Sequence, residues 1–371
     1  MSTQAMLLYM LVETIILGAI LIILPRIGRR GLLFGVYVGE ARSMGEEAER
    51  LRREWTRGMA ILVVAALVVG MGLEAALANP VLMPLSSGLL VLGFFVLYFR
   101  SYGRARRLAA DAPPPAAAPF QSGPAPSAGI APLVVLVVGL SGGLLALGYA
   151  WSHYPLLPER IPVHFGLDGR PDGWAPRSAA SVMFLPFLTL AMGIVFGVLT
   201  YFVAHAKRAL RYADDGTSLA AQDRFRRMMC RFLATLGVLV TTMLTLGSIS
   251  SIRVAMGEAG ALSALFLALG VGVAVTAFGG VLYIAVRYGQ GGARLERAAA
   301  SAPLTNGLAD NRFWHLGMFY VNRDDPSIMV EHRFGLGYTI NLGNWKGVLL
   351  LAGILVGTLG AGLVGMWAAR G

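Results

Sequence analysis

Four ionisable side chains in one short segment have the residue types for chemistry. Glu159, His164, Asp168 and Asp172 lie within residues 153–178, HYPLLPERIPVHFGLDGRPDGWAPRS. Histidine beside carboxylates suits metal binding or acid–base catalysis. The spacing of four would place His164 and the aspartates on one helical face, but five prolines and three glycines exclude a long helix. We therefore expect the aspartates to stabilise turns, in a segment that is stiff and ordered without regular secondary structure.

Two further carboxylates interrupt long apolar runs. Glu13 and Glu74 are the only acids well inside such runs. A carboxylate in hydrocarbon is costly unless it is protonated or paired, so each is a functional candidate by default. A proton- or cation-linked pathway is one interpretation, and solvation of each acid near the membrane surface is the other.

The composition places these residues in a membrane protein. Hydrophobic residues make up 56% of the 371 residues and charged residues 14%, against about 25% charged in globular proteins. Helices of about 20 apolar residues cross the hydrocarbon layer, and eight stretches qualify. They lie near 6–25, 59–78, 81–99, 131–151, 179–204, 232–252, 261–286 and 347–369. The single cysteine, Cys230, excludes a multi-cysteine metal site, and we expect no metal and no cofactor.

The basic residues indicate the orientation. Of the 31 lysines and arginines, 26 follow the first, third, fifth and seventh spans, and therefore lie on one side of the membrane. The positive-inside rule makes that side cytoplasmic. We expect both termini outside, in a bacterial-type plasma membrane. The net charge of +11 is then a topology signal, so the lipid bilayer is an expected partner and nucleic acid is not.

Composition also divides the chain. The stretch 108–130 is rich in proline and alanine and reads as an extended cytoplasmic linker. The predicted parts are a three-span unit at 1–107, this linker, a four-span unit at 131–290 with the outer loop 153–178, a small cytoplasmic β-rich domain at 291–345, and a final helix at 346–371. The fold class is therefore an all-α polytopic membrane protein of about eight transmembrane helices, with a small β-rich insertion between spans seven and eight.

The segment 40–57 predicts a charged helix with one apolar stripe. The stripe consists of Ala41, Met44, Ala48, Leu51 and Trp55. Such a helix lies in the cytoplasmic interface or packs on the bundle.

The outer loop carries an ordered set of residues beyond the ionisable ones. In sequence they are Leu157-Pro158, Ile161-Pro162, His164-Phe165, Gly169, Pro171-Asp172, Trp174 and Arg177. With the flanking spans, this pattern resembles the domain of unknown function in membrane proteins of the Sdp-type toxin-immunity (SdpI-like) family. Gly166 departs from the polar residue often found there. Our candidates for ligand binding or function are Pro158, Pro162, His164, Phe165, Gly169, Asp172 and Trp174, together with Glu13 and Glu74.

The aromatic residues of this loop suggest how it is held. We expect Trp151, Tyr154, Phe165 and Trp174 to dock it on the bundle at the depth where aromatic rings favour the membrane interface. The docked loop is our predicted functional surface.

A second informative segment, 312–345, reads as a β-unit. Candidate strands are 317–321, 327–333 and 337–342, with a turn at 322–326. The cytoplasmic motif consists of Tyr320, Asn322, Asp325, Pro326, Arg333, Gly335, Gly337, Thr339 and Asn341. It resembles a short domain often found in the same relatives, and Tyr338 departs from the tryptophan common there. Motifs for a P-loop, a zinc protease or a nucleophile elbow are absent from the sequence.

The resemblance implies a non-enzymatic SdpI-like protein. Such a protein would sense, or give immunity to, an extracellular peptide or envelope stress, with that peptide and a cytoplasmic regulator protein as partners. One alternative is a proton- or cation-coupled transporter using Glu13 and Glu74. A third is an intramembrane hydrolase that uses His164.

Overall fold

The chain divides into two compact units that alternate along the sequence. The computed structural model describes residues 3–77, 83–109, 129–166, 168–207, 216–295 and 309–370. The first unit comprises Met1–Pro124, Ala206–Phe225 and Leu282–Asn344, and the second comprises Ala125–His205, Arg226–Val281 and Trp345–Gly371. Residues 110–128 of the predicted linker lie outside the described residues.

Helices make up most of the described chain. In order they are α1 Thr3–Ile27, α2 Glu40–Ser43, α3 Glu46–Leu77, α4 Met83–Ala109, α5 Ala131–His153, α6 Ala179–Ala204, α7 Gly216–Ala255, α8 Ala264–Arg287 and α9 Trp345–Arg370. The strands form four antiparallel pairs among the described residues: β1 Leu32–Leu33 with β2 Val36–Tyr37, β3 Arg160–Phe165 with β4 Pro171–Pro176, β5 Trp314–His315 with β6 Phe319–Tyr320, and β7 Met329–Glu331 with β8 Tyr338–Ile340.

Five helical segments in the described residues are long and apolar enough to cross a membrane. They are Glu46–Leu73, Ala131–Leu156, Ala179–Ala204, Ala220–Ala255 and Ala264–Gly292. These segments contain or overlap the second, fourth, fifth, sixth and seventh predicted spans, so the prediction of a multi-pass helical membrane protein is confirmed. The other three predicted spans overlap α1, α4 and α9, and the number of eight stays a prediction.

The apolar stripe at 40–57 belongs to the helical packing of the first unit. Ala48, Leu51 and Trp55 are buried, whereas Met44 is exposed. The indole N–H of Trp55 donates to the carbonyl of Leu21 in α1 at 3.1 Å. Ala41 is exposed as well. Because α3 begins at Glu46 and continues into the apolar segment, the part of the stripe that lies in α3 packs on the bundle, whereas the part before α3 does not.

In the second unit, α5 and α6 approach closely because glycines face each other. A Cβ added at Gly139 would lie 2.4 Å from the Cα of Gly193. Only hydrogen fits at such a backbone contact, which is how small residues pack membrane helices.

The outer loop contains a β-hairpin, so the expectation that it lacks regular secondary structure is wrong. Strands β3 and β4 pair antiparallel from Arg160 opposite Pro176 to Phe165 opposite Pro171, with register shifts on either side of His164. In a two-stranded hairpin both strands are edges, and a proline can lie where no ladder N–H is required. The proline content excludes a helix or a central strand here but permits this hairpin.

The prediction of a β-rich segment within 312–345 is confirmed, with shorter strands. The predicted strand 317–321 is reduced to β6, and β5 precedes it, because Leu316 and Gly317 form the connecting turn with φ of 52° and 69°. Positive φ at both central residues is the geometry of a tight hairpin turn. A bridge from Tyr320 to Asn341 joins the two hairpins of the segment.

This β-rich segment packs on the amino-terminal helices within the first unit. The ring of Phe334 lies 5.9 Å from Phe34, 6.0 Å from Trp55 and 4.7 Å from Tyr98, measured between centroids. All four side chains are buried. Aromatic pairs at these separations stabilise a core beyond the area that they bury.

A buried ion pair lies in the same unit. The Nε of Arg29 donates to Oε1 of Glu331 at 2.5 Å, and Nη2 of Arg29 donates to the carbonyl of Gly291 at 2.8 Å. The side chains of Arg29 and Glu331 are 0% and 4% exposed. A Cβ at Gly291 would lie 2.1 Å from Oε1 of Glu331, so this contact requires glycine.

We predict that replacing either partner of this ion pair alone destabilises the protein, whereas replacing both together does so much less. Removing one partner of a buried pair leaves an uncompensated charge and costs about 3–5 kcal/mol, whereas an apolar replacement of both is often neutral. Arg29→Met and Glu331→Leu should each lower the thermal unfolding midpoint of the detergent-purified protein. The double variant should recover most of the loss. A double variant that is no more stable than the worse single variant would contradict this account.

Candidate functional site

The hairpin of β3 and β4, called the outer hairpin after its predicted side of the membrane, packs on α6 and α7 within the second unit through aliphatic side chains. Leu157 and Ile161 are buried in one cluster with Val182 and Met183 of α6 and Ile252 of α7. Two hydrogen bonds fix the hairpin further: the Ser251 hydroxyl donates to the carbonyl of Pro162 at 3.1 Å, and the N–H of Leu262 donates to the carbonyl of Gly169 at 2.8 Å.

The aromatic residues expected to dock this loop are not its main protein contacts. The side chains of Trp151 and Trp174 are 74% and 46% exposed, and this position suits rings that face lipid headgroups. Tyr154 lies 5.6 Å beneath the guanidinium of Arg177. Phe165 is half-buried and lines the space under the hairpin.

That space is a cavity of about 430 Å³ between the hairpin and the helices α6, α7 and α8. Its walls are mostly apolar, and its polar groups come from His164 and from serines on α6 and α7. The principal lining residues are Ile161, Pro162, Phe165, Val182, Leu185, Met243, Leu244, Ser248, Ser251 and Phe266. A concave, mostly apolar pocket with a few polar groups is the usual form of a ligand site.

His164 lines this cavity and contacts Asp172 on the opposite strand of the hairpin. Nδ1 of His164 contacts Oδ1 of Asp172, and both side chains are exposed to solvent by half or more. The hairpin register makes this pair, because His164 lies opposite Gly173. A Cβ at Gly173 would lie 2.7 Å from the Cβ of His164, so the close cross-strand approach depends on glycine.

The remaining candidates of the loop have structural places. Oδ1 of Asp168 accepts the N–H of Arg170 at 3.1 Å, as expected of an aspartate that stabilises a turn. Gly169 has a φ of 75° and is buried, whereas Pro158 is exposed before β3. Within the described residues, no group of three or more His, Cys, Asp or Glu side chains could hold a metal ion.

Glu13, one of the two acids predicted to lie inside the membrane, contacts a neighbouring helix. The Ser87 hydroxyl of α4 donates to Oε1 of Glu13 in α1 at 3.0 Å. The side chain of Glu74 lies outside the described residues, so a role for the two acids in a proton- or cation-linked pathway stays a prediction.

The cytoplasmic motif is brought together around a buried carboxylate, Asp325. Its Oδ2 accepts the Tyr320 hydroxyl at 2.9 Å and Nζ of Lys207 at 2.7 Å, and its Oδ1 accepts the N–H of Ser327 at 3.0 Å. Burial alone would raise the pKa of Asp325, but the hydrogen bonds from Lys207 and Ser327 outweigh burial and lower it. The Asp325 side chain is therefore a charged structural centre.

Asn341 completes this network and ties the turn to β8. Its Nδ2 donates to the carbonyls of Asn322, Asp325 and Ser327, and its Oδ1 accepts the N–H of Asn322 and of Gly343. These contacts satisfy both ends of a fully buried amide. The carbonyl of Pro326 accepts from Asn344 at 2.8 Å.

Arg333 holds the same segment to the amino-terminal hairpin. Its Nη1 donates to the carbonyl of Gly35 at 3.2 Å and to Oδ1 of Asn311 at 2.7 Å. Its guanidinium carbon lies 4.8 Å from the ring centroid of Trp314. Burial lowers the pKa of Arg333 to about 9. Gly335 and Gly337 adopt φ of 112° and 102°, where side chains are strained.

Sequence reasoning missed the partners that come from other segments. Gln290 is fully buried and forms two hydrogen bonds with Gly337. Its Oε1 accepts the N–H of Gly337 at 2.7 Å, and its Nε2 donates to the carbonyl of Gly337 at 2.8 Å. Lys207 and Glu331 were missed in the same way. No local motif marks these residues, because each depends on a partner more than 40 residues away.

Comparisons with known proteins match two short parts of the chain. The family described as "Domain of unknown function (DUF1648)" matches residues 143–190, and the "Family of unknown function (DUF5808)" matches residues 323–348. Neither a curated protein nor a solved structure matches the chain. The first match contains the hairpin and its His164–Asp172 pair. The second contains Asp325, Arg333 and Asn341. The chain therefore carries two domains of unknown function, both of which its sequence motifs had singled out.

The second match also contains a histidine whose burial predicts acid sensitivity. Nδ1 of His332 accepts the N–H of Phe334 at 3.1 Å, and burial lowers the pKa of His332 to about 4 from 6.5. Between these two pH values His332 is protonated in the unfolded chain and neutral in the folded chain. Stability is therefore constant above pH 6.5 for this group and falls as the pH falls toward 4, by about 2 kcal/mol at pH 5.

We expect the thermal unfolding midpoint of the purified protein to decrease between pH 7 and pH 5, and His332→Gln to remove much of that decrease. His315, which is exposed in the same segment, supplies the control, because His315→Gln should keep the wild-type pH dependence. Equal pH dependence in wild type and His332→Gln would show that another group is responsible.

Proposed function

We propose that this chain is a non-enzymatic, SdpI-like membrane protein that senses, or gives immunity to, an extracellular peptide or envelope-active agent. The observation that carries the proposal is the cavity of about 430 Å³ beneath the outer hairpin. This hairpin lies inside the match to one of the two domain families, which are common in SdpI-like proteins.

The lining of the cavity defines the class of ligand. Its mostly apolar walls suit one or a few apolar side chains, while His164 and the serines of α6 and α7 offer donors and acceptors at the wall. A peptide combines these chemistries, since its backbone needs hydrogen bonds and its side chains need apolar surface. The fixed hairpin pre-organises the site, and pre-organisation lowers the entropic cost of binding.

The orientation belongs to the same proposal. The distribution of 26 of 31 basic residues favours an outer hairpin and a cytoplasmic β-rich segment in a bacterial-type plasma membrane. Both termini are then outside. A cytoplasmic regulator protein would bind the first unit, through the segment that contains Asp325 and Arg333.

The alternatives have less support from specific contacts. A transporter would use Glu13, whose described hydrogen bond is with the Ser87 hydroxyl, together with Glu74. A hydrolase would use His164, whose described hydrogen bond is with the Asp172 carboxylate. A nucleophile in contact with His164 would favour catalysis, and the described hydrogen bonds contain no such contact.

The proposed function predicts that filling the cavity weakens protection. Ser248 is buried and lines the cavity, so Ser248→Phe should fill it. Cells that produce the protein would be challenged with a panel of membrane-active peptides and envelope-targeting antibiotics. For an agent against which wild type protects, Ser248→Phe should reduce protection about tenfold, which corresponds to about 1.4 kcal/mol of binding.

The matched control is Ser141→Phe, since Ser141 is exposed on α5 and is not a lining residue. It should protect like wild type. Replacing 163–173 with a Gly/Ser linker of equal length should abolish protection. If Ser248→Phe and the linker variant protect fully while present at wild-type levels in the membrane, the cavity is not the functional site.

The orientation predicts opposite labelling at two exposed arginines. Arg170 lies at the end of the outer hairpin and Arg323 in the turn of the β-rich segment. In a Cys230→Ala background, an impermeant maleimide added to intact cells should label Arg170→Cys and leave Arg323→Cys unlabelled. Permeabilised cells should show labelling of both. The reverse pattern in intact cells would overturn the orientation.

A further inference from the structure

A basic pocket lies at the carboxyl end of α1, within the first unit. Its volume is about 690 Å³, and its walls come from the end of α1, the start of α3 and the turn after α8. The charged lining residues are Arg26, Arg29, Arg30, Glu49, Arg52 and Arg294. Five of these residues are arginines, and one is acidic.

The arginines of this pocket outnumber the carboxylates that contact them. Arg29 is held by Glu331. Arg26 and Arg52 share Glu49, at nitrogen–oxygen distances of 3.6 and 3.7 Å. These separations exceed a normal charge-assisted hydrogen bond, so one carboxylate stands between two guanidinium groups without a close bond to either.

Two further arginines, Arg30 and Arg294, add positive charge to the rim. Both are exposed, and neither forms a described ion pair with a carboxylate. Nη1 of Arg294 donates to the carbonyl of Val286 at 2.7 Å, which directs the guanidinium without neutralising it. A Cβ at Gly28 would meet no atom within 4 Å, so the space beside the helix end is open.

We propose that this pocket binds the phosphate diester of an anionic phospholipid headgroup. The planar guanidinium matches phosphate oxygens in a bidentate geometry. The position favours a lipid over a soluble phosphate, because α1 ends here as an apolar helix and because Pro25, Ile27, Leu32 and the exposed Met44 supply apolar wall beside the charges. Basic pockets beside transmembrane helices are established sites for such headgroups.

The test compares lipid binding by two double variants of equal charge. Arg30→Gln/Arg294→Gln removes two charges from the pocket. Arg106→Gln/Arg107→Gln removes two from the exposed end of α4, in the same unit and outside the pocket lining. Native mass spectrometry of the detergent-purified protein would count bound phosphatidylglycerol and phosphatidylcholine as each is titrated. Thermal unfolding would verify that both variants are folded.

We expect wild type to bind phosphatidylglycerol in preference to phosphatidylcholine. The pocket variant should bind phosphatidylglycerol about tenfold more weakly, and the α4 variant should remain close to wild type. Equal binding of the two lipids by wild type would overturn the proposal. Equal losses in both double variants would overturn it as well, because they would indicate attraction by net charge alone. If millimolar inorganic phosphate displaced bound phosphatidylglycerol as effectively as added phosphatidylglycerol does, the lipid assignment would be overturned. The ligand would then be a soluble phosphate.

Discussion

The first unit depends on an ion pair that joins residues 302 positions apart, Arg29 and Glu331. Removing both charges from water is expensive, and their attraction compensates only when both are held in place. That condition requires the segment after α1, the turn at Gly291 and strand β7 to be positioned together. Phe334 follows Glu331 closely in sequence and enters the aromatic cluster of Phe34, Trp55 and Tyr98. The β-rich segment is therefore part of the same core as the amino-terminal helices.

The sequence predicts the elements of this fold better than their partners. Apolar runs long enough to span hydrocarbon locate the helices, and aromatic and β-branched runs between turn residues locate the strands, because both signals are local. A charge count treats every arginine alike. It cannot distinguish Arg29, which is buried against Glu331, from the exposed Arg30 beside it. Nor can it show that Lys207 neutralises Asp325, since pairing over that separation is fixed only by the folded core.

The outer loop shows how a correct rule leads to a wrong element. Its prolines do exclude a helix, and from this the segment was expected to be irregular. An isolated hairpin has two edges and tolerates proline at both. Once the hairpin forms, the spacing of eight between His164 and Asp172 becomes a cross-strand contact, whereas Asp168 is left to the turn. Which of the two aspartates pairs with the histidine is set by the strand register, and the register shifts beside His164 are not visible in the sequence.

The two family-matched segments differ in how completely neighbouring protein groups hydrogen-bond their polar atoms and pack against their apolar side chains. In the β-rich segment, Asp325 and Asn341 are buried and fully engaged by neighbouring groups, so their contacts account for these residue types without a ligand. Under the outer hairpin, mostly apolar residues line a partly open cavity of about 430 Å³. Protein interiors are close-packed, and voids larger than a water molecule are few. Larger side chains at Ser248 or Ser251 would fill part of this cavity and add packing contacts beneath the hairpin. The ligand that we propose for that space would account for the small serines in its lining.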